Sequence, residues 1–299
     1  MSIRIPLRQH LRDTRQELSN FYSSPAWWWN QTKKSVLFPI HRVATRTGQY
    51  TRVVEEDWDI LLILDGCRED LFREVADIEQ FDEYRAINSG ASATKEWVVR
   101  QFYKGAFTDT IYLTGNAVVS EYIQAAFYQF EDVWRDAYDD ERRLIPPEPL
   151  AERARIVRKE YPRKRLIVHF SQPHYPFINY PELQYHSKAD GPSNVWHALR
   201  RGYVNEQTVW NAYADNLRTV LNVAEALAED LGGRVVMTSD HGNLFGERIF
   251  PFPLREWGHP PGLAHPNLRT VPWAVLSGES TSTIDNRDIT EQLEALGYL

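Results

Sequence analysis

Residues 58–64, Trp58-Asp59-Ile60-Leu61-Leu62-Ile63-Leu64, form a nearly continuous apolar run that stops at Asp65-Gly66. A run of this length without alternation reads as a strand buried on both faces, as strands of a parallel sheet are. Shorter apolar runs recur at residues 110–113, 166–170, 235–238 and 271–276, and helix-like stretches lie between most of them, notably residues 151–160 and 205–231. This alternation predicts an α/β fold: a mostly parallel central sheet with helices on both faces.

The rest of the chain divides around that pattern. Residues 1–55 read as an irregular or helical lead-in packed on the core, and residues 56–299 as one α/β domain. Residues 179–202, rich in Pro, His, Ser and Gly, show no clear period and predict an excursion over the sheet edge; long insertions of this kind tend to serve function. Residues 288–296 read as a closing helix, with Gly297 placed to end it.

Composition narrows the class. A chain of 299 residues, 42% hydrophobic, can furnish the core of one large domain. Its 34 basic and 41 acidic residues give a net charge of −7 with no long block of one sign, so nucleic acid is not an expected partner. The single cysteine, Cys67, excludes an internal disulfide framework and fits a reducing compartment, which favours a cytoplasmic location. No run of about 18 apolar residues occurs, so neither signal peptide nor membrane span is expected. Ala26-Trp27-Trp28-Trp29, between Tyr22 and Lys33-Lys34, has two readings. One is ordinary packing of a peripheral helix; the other is contact with a membrane surface or stacking on carbohydrate.

Candidate chemistry follows from strand ends, because ligands of open α/β sheets bind beyond the carboxyl ends of the strands. Asp65 directly follows one apolar run, and Asp240-His241-Gly242 follows Val235-Val236-Met237-Thr238-Ser239. Carboxylate oxygens with a neutral imidazole suit zinc, manganese or a similar divalent ion, and the glycine after each lets the backbone turn tightly. Asp65 alone would pass as a turn or capping residue, whereas an adjacent Asp-His pair after a strand has few structural excuses. Together they predict a shared metal. Arg68 could reach an anionic substrate oxygen with its planar fork, or pair with Glu69 or Asp70. Asn116, after Tyr112-Leu113-Thr114-Gly115, could donate to a substrate oxygen or simply serve a turn.

The run Val235-Val236-Met237-Thr238-Ser239-Asp240-His241-Gly242-Asn243-Leu244-Phe245-Gly246-Glu247 resembles the late metal motif of the sulfatase branch of the alkaline phosphatase superfamily. Three other passages are similar in order and spacing. Ile63-Leu64-Asp65-Gly66-Cys67-Arg68-Glu69-Asp70 resembles the first metal-ligand strand, and His169-Phe170-Ser171-Gln172-Pro173-His174-Tyr175-Pro176-Phe177 the central histidine motif. Gly258-His259-Pro260 with Leu268-Arg269-Thr270-Val271-Pro272-Trp273 resembles the last strand region, so the likeness spans about residues 57–278.

The resemblance implies that residues 56–299 form a sulfatase-like catalytic domain with a hydroxyl nucleophile held against the metal. Ser89-Gly90-Ala91-Ser92-Ala93-Thr94-Lys95-Glu96-Trp97 occupies the nucleophile's place. Ser92 is the first choice, as nucleophile and as a metal ligand beside Asp65, Asp240 and His241, because Gly-x-Ser/Thr followed four residues later by Glu is similar to the family's phosphoglycerol transferases. Thr94 is second. Either could instead cap a helix beginning near Lys95, whose amino terminus would face the incoming anion. The same resemblance implies that His174 contacts substrate oxygens or protonates the leaving group. It also implies that His169 binds substrate, unless it is a core histidine, and that His259 serves a second ion or the transferred group. His265 reads more simply as a loop residue.

One departure decides between ester classes. Ordinary sulfatases carry a Cys/Ser-x-Pro-x-Arg element whose first residue becomes formylglycine, and this chain has none. Cys67 lies beside the first ligand and reads as a small buried side chain. The expected activity is therefore hydrolysis or transfer of phosphate esters (monoester, diester or phosphoglycan/lipid), ahead of sulfate ester hydrolysis. A catalytically weak module that binds glycans or lipids is the alternative from another class. The expected cofactor is one or two divalent ions (Zn, Mn, Mg or Ca). The expected partner is an anionic ester, glycan- or lipid-linked in some versions, with peripheral membrane contact an added reading.

Overall fold

The computed structural model describes residues 40–41, 48–185, 192–251 and 254–277. The Trp27-Trp28-Trp29 cluster, the expected closing helix at residues 288–296 and residues 186–191 of the expected excursion lie outside the described residues. The chain divides into two units, Met1–Thr47 and Gly48–Leu299, and the fold below is that of the second.

The five apolar runs become five strands: β1 (Ile60–Asp65), β3 (Ala106–Thr114), β5 (Arg165–Pro173), β6 (Arg234–Thr238) and β9 (Thr270–Ser277). Two more, β2 (Glu83–Asn88) and β4 (Ala126–Glu131), complete a seven-stranded sheet of order β2-β9-β6-β1-β5-β3-β4. Strands β6, β1, β5, β3 and β4 pair in parallel, and β9 runs antiparallel to both β6 and β2. The sheet is thus mostly parallel, as the pattern predicts. β2 and β4 escape that pattern because they are the two edges and stay largely exposed or half-buried, so no continuous apolar run marks them. A separate hairpin of β7 (Leu244–Ile249) and β8 (Leu254–Gly258) follows β6.

β1 shows why its sequence does not alternate. Ile60, Leu62 and Leu64 face one core, shared with Leu71 and Phe72 of α1 (Glu69–Val75), with α4 (Glu148–Glu160), and with α6 (Glu206–Leu231). Leu61 and Ile63 face the other, with Trp97, Val98 and Phe102 of α2 (Thr94–Phe102) and Val119 of α3 (Ala117–Tyr122). Helices cover both faces, and each fully buried Leu or Ile contributes roughly 1.5–3 kcal/mol to holding them there.

The excursion is more regular than its composition predicts. It holds a 3-10 turn at Pro181–Leu183 and α5 (Val195–Arg200), capped by Asn194, whose side chain accepts from His197 N at 2.8 Å. α5 buries Val195, Trp196, Ala198 and Leu199, with Trp196 edge-on to Phe245 of the hairpin at 5.1 Å. Six residues are too few to show a period against the surrounding Pro, Ser and Gly.

Candidate metal and active site

Parallel pairing brings the chemistry-bearing residues to one edge of the sheet. Ile63 of β1 is paired with His169 of β5 and with Thr238 of β6, so the carboxyl ends of these strands lie side by side. Asp65 closes β1, and Asp240-His241 leave β6 two residues beyond its end. Gly66 turns the chain at φ +68°, and its N–H donates to Asp240 Oδ1 at 2.9 Å. A Cβ there would meet Asn243 Nδ2 at 3.0 Å and the His174 and His241 rings at 3.4 Å, so glycine answers both conformation and space.

Asp65, Asp240 and His241 are buried and could hold a metal ion: one ligand atom from each lies within 4.8 Å of the others, the one such group among the described residues. His241 Nδ1 faces the Gly242 carbonyl at 2.9 Å. A carbonyl only accepts, so the proton is on Nδ1 and the Nε2 lone pair is free for a ligand. That lone pair lies 3.5 Å from Asp65 Oδ1 and 3.5 Å from Asp240 Oδ2, and Asp240 Oδ2 has no hydrogen-bond partner among the described residues. Three electron-rich atoms converging in a buried space are repulsive without a cation, so this donor set fits a divalent ion.

The titration of the two carboxyls expresses the same strain. Asp65 is pushed well above the usual carboxylate range, first by burial and then by the Asp240 carboxylate; hydrogen bonds from Asn116 and Thr94 pull the other way. Burial would raise Asp240 too, but His241, His169 and the Gly66 N–H hold it below its ordinary value.

The nucleophile segment resolves at the first turn of α2. Thr94, its first residue, places Oγ1 3.3 Å from His241 Nε2 and 3.5 Å from Asp65 Oδ1. Ser92, two residues earlier, is not brought to the centre. Its Oγ offers its proton to Glu96 Oε2 at 2.8 Å, with the Pro260 carbonyl at 3.1 Å, and accepts from Gly262 N at 2.9 Å and Leu263 N at 3.3 Å. The Gly-x-Ser…Glu pattern is therefore an internal tie, Glu96 also accepting from Ser92 N, that pins the loop before α2 to the segment after His259.

The histidines separate by depth. His174 and His259 line a cleft of about 260 Å³ together with Asp65, Thr94, Asn116 and Tyr175. His174 Nδ1 faces the Tyr175 carbonyl at 2.5 Å, so its Nε2 is the acceptor and His259 Nε2–H the donor in the 2.8 Å contact between them. Burial pulls His174 down to about 4 and His259 well below its ordinary value, so both are neutral near pH 7. His259 stacks on His241 with ring centroids 4.5 Å apart but stands outside the three-ligand group, and a role for it as ligand to that ion is not what the geometry favours. His169 lies behind the centre, fully buried against Trp97, with Nδ1 2.8 Å from the Tyr112 hydroxyl and Nε2 3.9 Å from Asp240 Oδ2. The expectation that it binds substrate is corrected: no surface of it reaches the cleft. His265 caps a short turn, its Nδ1 accepting from Asn267 N at 3.2 Å.

Arg68 is also corrected. Its Nε and Nη2 donate to Asp70 at 2.8 and 2.6 Å, and its Nη1 to Glu247 Oε1 at 2.6 Å and the Asn243 carbonyl at 3.0 Å. With its fork so engaged, Arg68 fastens the metal-ligand loop to the turn after β1 instead of meeting substrate. Asn116 is where a substrate donor would be, but its Nδ2 donates to Asp65 Oδ2 at 2.6 Å while its Oδ1 caps α3 at Val118 N, 2.8 Å. It orients the first ligand.

Two residues of α6 were missed. Tyr213 donates its hydroxyl proton to the Gly66 carbonyl. Asn216, buried, donates to the Pro173 and His174 carbonyls at 3.1 Å each and accepts from Ile178 N at 3.0 Å, which shapes the loop that carries His174. A buried asparagine within an apolar helical stripe was the available signal.

Gly242 provides a direct test of how tightly the loop is built. A Cβ there would collide with the Asn267 carbonyl oxygen and approach Arg68 Cγ to 3.0 Å. Gly242→Ala is expected to cost about 1–3 kcal/mol of stability through overpacking, read as a lower urea midpoint; an unchanged midpoint would show that the loop yields freely.

No family model and no curated protein matches the chain. Solved structures do match. The chain is similar to the soluble domain of lipooligosaccharide phosphoethanolamine transferase A from Neisseria meningitidis, at 13% identity over 78% of this chain and 80% of that one, with a TM-score of 0.49. It is similar to the lipoteichoic acid synthase LtaP from Listeria monocytogenes, at 12% identity over 81% and 72% of the two chains, with a TM-score of 0.40. It is also similar to a protein in the alkaline phosphatase superfamily from Vibrio parahaemolyticus, at 12% identity over 82% and 69%, with a TM-score of 0.37.

Proposed function

We propose that the chain is a metal-dependent hydrolase or transferase of phosphate esters that works through the Thr94 hydroxyl. The observation that carries this is the position of Thr94 Oγ1, within 3.5 Å of both His241 Nε2 and Asp65 Oδ1, at the mouth of a three-ligand group. A divalent ion held by Asp65, Asp240 and His241 would supply the positive charge that lowers the pKa of the adjacent hydroxyl and offsets charge on the phosphoryl oxygens.

The residues then have separate tasks. Thr94 gives up its hydroxyl proton to solvent and its Oγ1 attacks phosphorus; the new P–O bond forms as the ester P–O bond breaks, and the alkoxide leaves with its bonding pair and takes a proton from solvent to become the alcohol. The amino terminus of α2 directs its N–H groups and positive dipole end to the same oxygens. His259, neutral, keeps its Nε2–H on His174 Nε2, and the pair forms an uncharged cleft wall beside the phosphoryl group rather than an imidazolium proton donor. Asn116 and the Gly66 N–H hold Asp65 and Asp240 in orientation. Water or an acceptor alcohol releases the phosphothreonine, giving hydrolysis or transfer. Phosphate is preferred to sulfate because the formylglycine element is absent and an ordinary hydroxyl stands at the centre.

The test is a substrate panel of aryl phosphate, bis-aryl phosphate and aryl sulfate, assayed after chelation and again with zinc or manganese restored. Phosphate-ester turnover that vanishes on chelation and returns with the ion is expected, above that of the sulfate. Faster turnover of the sulfate would transfer the assignment to sulfate esters, and no turnover with any ion would overturn it in favour of a binding module.

A further inference from the structure

The cleft in front of Thr94 has a single cation among the described residues that line it, Arg143. The other lining groups are Asp65, uncharged polar side chains such as Asn116, Gln172 and Tyr175, neutral histidines, and apolar residues. Arg143 forms no ion pair among the described residues, although Arg142 beside it pairs with Asp139 at 3.8 Å. Its charge is felt inside the cleft: burial raises the Tyr175 phenol, and Arg143 pulls against that rise.

The turn that presents Arg143 is built rather than loose. Arg143 N donates to the Asp139 carbonyl at 2.6 Å, and Asp139 Oδ1 accepts from Glu141 N at 3.0 Å and Arg142 N at 2.8 Å. Asp139 and Leu144 form an antiparallel bridge, and Leu144 is buried. Arg143 itself has φ +56°, a left-handed conformation that costs a non-glycine residue roughly 1–2 kcal/mol. Glycine would be the easier residue at that position. An arginine held there against its backbone preference, on the wall of a reaction cleft, calls for a use of its side chain.

We propose that Arg143 is a specificity-determining residue that receives a second anionic group of the substrate, a carboxylate or a further phosphate a few bonds from the phosphoryl group that Thr94 attacks. This rests on the phosphate-ester reading above. A guanidinium meets either group with paired N–H donors, and its exposure to solvent keeps the gain moderate.

O-phosphoserine and O-phosphoethanolamine differ only by a carboxylate, so their ratio isolates the contact. With the ion-loaded protein, kcat/KM is expected to favour O-phosphoserine over O-phosphoethanolamine by about five- to tenfold, and inorganic pyrophosphate, the probe for a second phosphate, is expected to be preferred to O-phosphoethanolamine as well. In Arg143→Gln both preferences fall toward one, and Arg143→Lys restores part of them; thermal melts verify that the variants are folded. Unchanged preferences in Arg143→Gln, or none in the wild type, would overturn the proposal. Calorimetric binding of the same three probes separates the two readings. Without turnover, a binding preference that Arg143→Gln erases would keep the anion site and remove the enzyme assignment, while no binding preference would remove the anion site as well.

Discussion

Thr94→Ala is expected to lower kcat for an aryl phosphate by roughly 10⁴-fold or more, the scale on which removal of a nucleophile acts, while Ser92→Ala keeps readily measurable turnover. The two hydroxyls are two residues apart, and their surroundings differ completely. Thr94 Oγ1 faces His241 and Asp65; Ser92 Oγ is engaged with Glu96, Pro260, Gly262 and Leu263. Ser92→Ala removes the acceptor of two buried N–H groups and so should lower the melting temperature. Thr94→Ala leaves the three ligand side chains in place and should keep the bound ion, measured by metal analysis of the purified variant. Thr94→Ser keeps a nucleophile and retains part of the activity. The opposite pattern, an active Thr94→Ala and a dead Ser92→Ala with its ion intact, would move the nucleophile back to Ser92.

Asp65→Asn is expected to abolish tight binding of the divalent ion and, without the ion, to make the protein more stable. Both effects have one origin. A carboxyl whose folded pKa lies above its unfolded value contributes stability that is complete below the unfolded pKa and is lost as pH rises through the folded one. Asp65 is such a group, raised by burial and by Asp240, so near neutral pH its ionised form disfavours the metal-free fold. Asparagine keeps the shape, can still accept from Asn116, and removes the like-charge repulsion, a gain of about 1–3 kcal/mol. The wild type recovers more than this when the ion binds, because a ligand of the folded state adds stability in proportion to its occupancy. Melting curves with and without zinc should therefore cross: Asp65→Asn higher in chelator, wild type higher with the ion. Ion binding also competes with protonation of Asp65, whose pKa is raised, so affinity should weaken as pH falls toward the usual carboxylate range, with proton release seen in weakly buffered titrations. A variant less stable in chelator, or a wild type indifferent to zinc, would contradict this account.

Both results depend on contacts that were unequally visible in the chain. The apolar run of β1 predicted a strand covered on both faces, and Leu61 and Ile63 do face one core while Ile60, Leu62 and Leu64 face the other. Asp65 and Asp240-His241 stood out because each follows such a run, and in a parallel sheet strand ends necessarily share an edge. Edge strands β2 and β4, exposed or half-buried, carry no comparable mark.

The amino-acid sequence by itself therefore determined the sheet, the edge at which the candidate ligands gather and the three residues able to hold an ion, since periodicity and strand-end position are local properties. Tertiary structure decided the rest. Whether Ser92 or Thr94 serves the centre depends on where α2 begins and on Pro260, 168 residues from Ser92. Arg68 was assigned away from substrate by Glu247, 179 residues distant, and His174 is positioned by Asn216 on a helix that otherwise reads as core. A side chain's hydrogen-bonding capacity is written in its own identity, but its partner is chosen by packing that no local pattern encodes.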